Sequence, residues 1–524
     1  MKNRPNIYWG PIDAKDESDG PFLEKFVQCS SYKEIIDSYK PLISGEKGSG
    51  KSAFKRHLVA THKKNNDVVT EISFDDIEYV SVIENLNYLI EYTQAKSLSV
   101  LSHYWQFVIF IYAMKTAMSV EKTHLTKEKN LIQEYLTDSG FAEMGIVSIM
   151  SLLTFNAIKK IEQVTNPADK RDLERLGLPT ALSAQVHDSL KSYPLFDPKF
   201  VQAKNAFFRY LNDGGRKVII TIDDFDEIKA KSTDDRLSIQ SIFDSLISAI
   251  YVISLTHELR DAFRVYCFIP HDRLIEADLR DYDKIEYKHE AIIWDYAGIK
   301  KLLGKRIAFS TGGKKFDEVW QSLFPAVIPN DCYNIQESSF EYLLRHTQYR
   351  PRQILRTLEA LETEARKNDF DANKFRQVIH RLAKKNVDAF IKEYSIDHPN
   401  LKRFFHRFKN FSNVCEYTSF RQKVEKIISD LGSYVSLDDK IDQLYNMGFF
   451  GVLKELKGHD IKDTAATAYL PPTRYRGQRY LCKFYYHHPD ESISGALQGE
   501  DVIVIHPMFF DYCEQDHHST AIVG

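Results

Sequence analysis

The chain is poor in cysteine, and the few it has are not arranged for chemistry. Six are scattered over 524 residues: Cys29, Cys267, Cys332, Cys415, Cys482 and Cys513. None forms a CxxC pair or a Cys/His cluster at zinc spacing, so a zinc module or a disulfide framework is excluded and reduced, buried thiols are expected. Long apolar runs are also missing. The most apolar stretch, residues 105–114 (WQFVIFIYAM), is about ten residues long, whereas a membrane span needs ~20. It predicts a buried helix. The N-terminal MKNRPNIYWG lacks the apolar core of a signal peptide, so a cytoplasmic protein without membrane attachment is expected. Charge of one sign is not in excess either. Lys and Arg number 70 against 73 Asp and Glu, a net charge of -3. Whole-chain charge therefore predicts neither nucleic-acid nor membrane binding, and any basic surface must be local. The sequence has no HExxH, no trustworthy PD-(D/E)xK pattern, no NKxD-type guanine motif, no internal repeat and no low-complexity tract.

What is present is ordinary globular composition, 43% hydrophobic and 27% charged, over a length that suits roughly three domains of ~100–200 residues. Residues 41–44 (PLIS) read as a buried strand that runs into a glycine-rich turn, and residues 52–62 as the following helix. Residues 67–74 alternate and are rich in β-branched side chains, as a strand requires. Residues 217–222 (KVIITI) and 265–270 (VYCFIP) are continuously apolar, as strands buried on both faces are. Residues 291–294 suggest a fifth strand. Strands alternating with helices predict an α/β sheet. Residues 1–75 and 212–295 form the expected core, interrupted by a mostly helical insertion at 76–211. Residues 296–394 read as helical throughout, and 395–524 as a separate C-terminal domain.

Residues 45–52 fit GxxxxGK[ST] at every fixed position: Gly45, Glu46, Lys47, Gly48, Ser49, Gly50, Lys51 and Ser52. Glycines let the backbone curl until its N–H groups point inward at phosphates, and the helix that starts here, with Ala53 in its first turn, adds its positive end. Lys51 is placed to reach the β- and γ-phosphates and the Ser52 hydroxyl to ligate magnesium. The strand–turn–helix context is the one such a loop needs. A magnesium nucleotide also needs a carboxylate at a nearby strand end. Asp223 fits the metal role and Asp224 is the candidate to polarise the attacking water, with Asp226 and Glu227 able to substitute. His271 and Asp272, after the strand 265–270, are candidate sensors. Arg350, Pro351 and Arg352 precede a helix, proline suiting its first turn, and either arginine is a candidate lid sensor. Arg260, Arg273 and Arg280 are unranked candidates for a finger acting on a neighbouring subunit.

Helix, turn and two or three strands after residue 437 suggest a winged helix. Its candidate recognition helix carries Asp438, Asp439 and Asp442 against Lys440, which is poor for phosphate contact. Residues 341–430 carry about seven more basic than acidic side chains. Within them Lys402, Arg403, Arg407 and Lys409 interleave with Phe404, Phe405, Phe408 and Phe411. That pattern fits an amphipathic helix with a solvated basic face, or a DNA surface over 402–411.

The N-terminal IYWGPIDAKDE, LISGEKGSGKSA, VIITIDDFDEI, QYRPRQIL and the terminal YNMGFFGVL together resemble the AAA+/STAND-like P-loop ATPases of bacterial conflict and anti-phage systems. Replication-initiator ATPases share this plan. The resemblance implies a P-loop core with a large helical insertion, a helical lid and a C-terminal winged-helix domain. It implies ATP and Mg2+ as ligands, Lys51 and Ser52 on phosphate and metal, Asp223 and Asp224 as acids, and Arg350 or Arg352 as the lid sensor. It also implies a homo-oligomer and a partner effector encoded nearby. Two departures stand out: His271 replaces an arginine frequent in relatives, and Asp224 replaces a frequent glutamate. Three functions are open at this point: a regulatory ATPase in defence, a DNA-loading ATPase, and an ATP-binding scaffold without turnover; a small-molecule kinase is disfavoured, because the lid-plus-winged-helix layout is not what that chemistry needs.

Overall fold

The computed structural model describes residues 5–73, 98–120, 126–153, 197–213, 216–223, 233–256, 262–275, 277, 282–330, 335–367, 370–395, 398, 400–432, 435–455, 473–475, 478–484, 493 and 496–514. They fall into two compact units. The first to be described holds residues 31–46 and 51–291 and is built on a parallel sheet.

Its strands are β1 (Leu42–Gly45), β2 (Val68–Ser73), β3 (Val218–Asp223), β4 (Phe263–Pro270) and β5 (His289–Ala291), in the order β2-β3-β4-β1-β5. Every pairing is parallel. β1 and β3 are buried at every residue, which is why they read as continuous apolar runs rather than alternating ones. β4 lies between β1 and β3. All strands point the same way, so Gly45, Asp223 and Pro270 end on one edge of the sheet.

The chain between β2 and β3 contributes the helices Leu98–Val120, Lys127–Asp138, 146–153 and Pro198–Asn212. The apolar run 105–114 lies inside the first of them. Trp105, Phe107, Val108, Ile109, Ile111 and Met114 are buried, so most of the helix circumference faces protein, as an all-apolar helix demands. Pro198–Asn212 starts from Asp197, whose carboxylate accepts from Lys199 N at 2.8 Å, with proline in its first turn. Its Phe200 ring lies 4.6 Å from that of Phe107. These side chains share one core with Val68, Ile72, Val218, Ile220 and Ile222 of the sheet. Burying Phe200 and Phe207 fully ties the inserted helices to the strands, and truncating either ring would cost about 3–5 kcal/mol.

The second unit holds residues 1–30, 47–50 and 292–524. Helix Tyr296–Thr311 begins at Asp295, which accepts from Gly298 N, and ends at Gly312 with φ 68. Helices Phe316–Leu323, Ser339–Arg345, Pro351–Lys367 and Ala372–Tyr394 follow. The expectation of helix throughout 296–394 needs correction. β6 (Val327–Asn330) and β7 (Ile335–Ser338) form an antiparallel pair within it. Each strand is four residues long, and Pro329 interrupts any period.

After helix Leu401–His406 come β8 (Val414–Glu416), helix Tyr417–Leu431 and helix Leu437–Asn446. β9 (Phe450–Glu455), β10 (Thr473–Tyr475), β11 (Gln478–Lys483) and β12 (Val502–Ile505) complete a second sheet, ordered β10-β11-β9-β12-β8. Its pairings are antiparallel. Phe405, Phe408, Phe449 and Phe509 form its aromatic core, with Phe405 stacked on Phe449 at 4.8 Å. Phe404, Phe405 and Phe408 are therefore not free to stack on bases. Phe404, Phe405 and Phe408 are the buried face of an amphipathic helix and turn, and Phe411 is partly buried against the same core. No helix among the described residues is long and apolar enough to cross a membrane.

Candidate phosphate-binding site

β1 runs directly into the glycine turn, and helix Lys51–Lys64 starts on its far side. Gly48 has φ 83 and Gly50 φ 103, a backbone that side-chain-bearing residues rarely adopt. Lys51 is buried, and its Nζ donates to Gly45 O at 2.8 Å. Ser52, Ala53 and Glu46 are half-buried, and Lys47 is exposed. The Ser49 hydroxyl is buried with no hydrogen-bond partner among the described residues. The turn therefore already has the curl, the buried cation and an unsatisfied hydroxyl that a phosphate would use.

Within the sheet unit, Asp223 closes β3 at 2% exposure. Lys55 Nζ lies 3.2 Å from Asp223 Oδ2 and 3.9 Å from Glu71 Oε2. His271 follows β4, and its Nδ1 is 2.8 Å from Ser44 Oγ. The same hydroxyl meets His289 Nε2 at 2.7 Å. Burial, then the neighbouring His271 and Lys40, push His289 down to about 3. Gly45, Lys51, Asp223 and His271 thus gather at the carboxyl edge of a parallel sheet, where such sheets bind their ligands. Asp272 and Arg273 follow His271 in the short helix His271–Ile275. Asp224, Asp226, Glu227, Arg260 and Arg280 lie outside the described residues.

Within the other unit, the turn residues 47–50 are held by three contacts. Arg350 Nη1 donates to Lys47 O at 3.4 Å, Arg352 N to Gly48 O at 3.4 Å, and Trp294 Nε1 to Ser49 O at 2.7 Å. Arg350 is buried and lies 4.0 Å from Glu393. Arg352 is paired with Asp13 at 3.7 Å. Tyr349, just upstream, has φ 55 without being glycine, a conformation that the packing around it must hold. The N-terminal segment is tied down by Glu362, whose carboxylate accepts from Ile7 N at 2.9 Å and Trp9 Nε1 at 2.6 Å.

Sequence reasoning missed Lys55, Ser44, His289, Trp294 and Glu362. Only Lys55 left a readable signal, since it lies one helical turn after Lys51 and hence on the same face. The others depend on strand order or on contacts between residues hundreds of positions apart.

A magnesium ion in a nucleotide site keeps several waters and takes only one or two protein oxygens beside the phosphates. Ser52 and Asp223 are the two oxygen donors that could fill that role. Among the described residues no cluster of three His, Cys, Asp or Glu side chains offers an all-protein metal cage. Of the proposed DNA surface at 402–411, Lys402 and Arg403 are exposed. Arg407 is paired with Asp430 at 3.1 Å and Lys409 with Glu514 at 2.5 Å.

Comparison with known proteins gives a partial likeness. The family model of the FunZ-associated C-terminal helical domain matches residues 297–395, the block that contains helices Tyr296–Thr311, Pro351–Lys367 and Ala372–Tyr394. A search of curated proteins gives no match.

Proposed function

We propose that this chain is a magnesium-dependent ATPase whose nucleotide state controls its assembly or a partner effector in bacterial defence against phage. One observation carries the proposal. A buried parallel strand leads into a turn with Gly48 and Gly50 at positive φ, then into a helix headed by Lys51, while Asp223 ends another strand of the same sheet on the same edge. Phosphate is the ligand such a turn suits, through its backbone N–H groups, the helix N-terminus and the Lys51 ammonium. Ser52 and Asp223 would hold the metal, which supplies charge neutralisation at the phosphate oxygens. Asp224, or Glu227 in its place, would orient and deprotonate the attacking water. Arg350, whose guanidinium donates to Lys47 O, or Arg352, whose backbone N–H donates to Gly48 O, would sense the γ-phosphate. ATP is favoured over GTP by the absence of an NKxD-type motif.

The order helix, β8, helix, helix, β9, β12, with β12 between β8 and β9, supports a winged-helix reading of the C-terminal domain, the β10–β11 hairpin extending its wing. A homo-oligomer is part of the proposal. The likeness to a FunZ-associated domain agrees with the defence setting.

The deciding experiment is phosphate release from ATP by wild type, Lys51→Ala and Asp224→Ala, with oligomeric state followed in parallel. Turnover in wild type that both substitutions abolish is the expected result. Bound nucleotide without turnover in wild type would replace the ATPase by a scaffold.

A further inference from the structure

Helix Lys51–Lys64 presents two buried lysines one turn apart. Each has a partner of opposite or complementary polarity within the protein. Lys51 Nζ rests on the Gly45 carbonyl. Lys55 Nζ rests on Asp223 Oδ2, the two side chains being 8% and 4% exposed. The second carboxylate near Lys55, Glu71, is 41% exposed, so water already screens it, whereas the Asp223–Lys55 pair is buried and its attraction is little screened. Asp223 is also the carboxylate assigned above to the metal. A single buried carboxylate thus has two claimants of the same charge sign.

We propose that Lys55 is a positioning residue that stands in for the metal's charge. It holds Asp223 against the helix when no metal is bound, and a metal–nucleotide complex has to draw Asp223 away from it. Residue 55 then sets how much magnesium strengthens nucleotide binding. The inference rests on the proposed function, specifically on Asp223 as a metal-binding acid. A pair that merely staples helix to sheet would affect stability alike with and without metal. A stand-in makes the gain from magnesium depend on how firmly residue 55 grips the carboxylate. Glutamine grips it least. Arginine, with its fork matched to a carboxylate, grips it most.

The test is equilibrium binding of a fluorescent ATP analogue to the full-length protein, in excess magnesium and in EDTA. Wild type, Lys55→Gln and Lys55→Arg are compared, with folding checked by circular dichroism. The quantity read is the ratio of the two affinities. It is expected to rise at least about threefold in Lys55→Gln and to fall at least about threefold in Lys55→Arg, because the neutral amide releases the carboxylate and the bidentate guanidinium holds it. The same ratio in all three proteins, or the reverse order, overturns the inference and leaves the proposed function standing. If Lys55→Gln does not fold, the arginine variant decides alone, and a ratio equal to or above wild type overturns the inference. Wild type that binds no nucleotide under either condition overturns the proposed function and the inference with it.

Discussion

Lys51 Nζ donates a hydrogen bond to the carbonyl oxygen of Gly45, six residues upstream and 2.8 Å away. The bond closes the turn on itself and keeps a buried ammonium satisfied. Phosphate would offer that ammonium a charged acceptor in place of a neutral one, and charge-assisted hydrogen bonds are the stronger kind. Two such contacts at about 1.5–3 kcal/mol each imply that Lys51→Ala weakens ATP binding at least about 100-fold. Titration calorimetry measures this directly. Wild-type affinity in the variant would remove the loop from the nucleotide site.

Gly48 makes a second, steric prediction. Its φ is 83, and a Cβ added there would lie 3.0 Å from the Arg352 Cβ. Gly48→Ala therefore meets an unfavourable backbone and a close contact together. Each is of the order of 1 kcal/mol or more. The melting midpoint is expected to fall by several degrees, and nucleotide affinity with it, since the displaced turn is the proposed phosphate cradle. Gly50→Ala is the control. It shares the positive φ, at 103, but its Cβ would meet nothing within 4 Å, so its stability loss should be the smaller. Equal losses in the two variants would count against the contact with Arg352.

The glycine turn between β1 and the helix Lys51–Lys64 was legible because its pattern is local: glycines, lysine and serine fall within eight consecutive residues. Asp223 was legible for the same reason, as the acid that ends an apolar run. Strand order was not legible, because nothing in residues 263–270 says that β4 inserts between β1 and β3. The Ser44–His271–His289 contact follows from that order alone. The β6–β7 pair was missed because a four-residue strand with a proline shows no period. The run at 402–411 left an amphipathic helix and a nucleic-acid surface both open, because an amphipathic helix with a buried aromatic face alternates in much the same way. Only the burial of Phe404, Phe405 and Phe408 separates the two.

Glu362 is the anchor of the N-terminal segment. Its two carboxylate oxygens accept from Ile7 N and Trp9 Nε1, and Arg366 Nη2 pairs with it at 2.6 Å. Arg306 adds a bond to Trp9 O. Glu362→Ala leaves a buried backbone N–H and an indole N–H unsatisfied, at about 1–3 kcal/mol each. The N-terminal residues should become accessible, and limited proteolysis should cleave before or near Trp9 in the variant at protease levels that spare wild type. Glu362→Gln keeps one acceptor oxygen and should fall between the two. Equal resistance of all three proteins would show that Glu362 does not hold the segment.

His289 gives a pH dependence whose sign is fixed by its environment. Burial, His271 and Lys40 lower it from 6.5 to about 3, so it stays neutral in the folded chain over the range where the unfolded chain protonates it. Its contribution to stability is complete above pH 6.5 and is lost progressively as pH falls toward 3, by up to about 1.4 kcal/mol per pH unit. His506 is lowered to about 3, chiefly by burial, and acts in the same direction, so wild type should lose stability steeply below pH 6.5. His289→Gln keeps a hydrogen-bonding group for the Ser44 hydroxyl but cannot titrate. At pH 7.5 the variant should melt below wild type, since the amide fits the imidazole's place imperfectly. On acidification the wild type pays for protonation at this position and the variant does not, while carboxylates and His506 act alike in both. The gap between their melting midpoints should therefore narrow between pH 6.5 and 4. A gap that stays constant across that range would mean that His289 does not remain neutral in the folded protein.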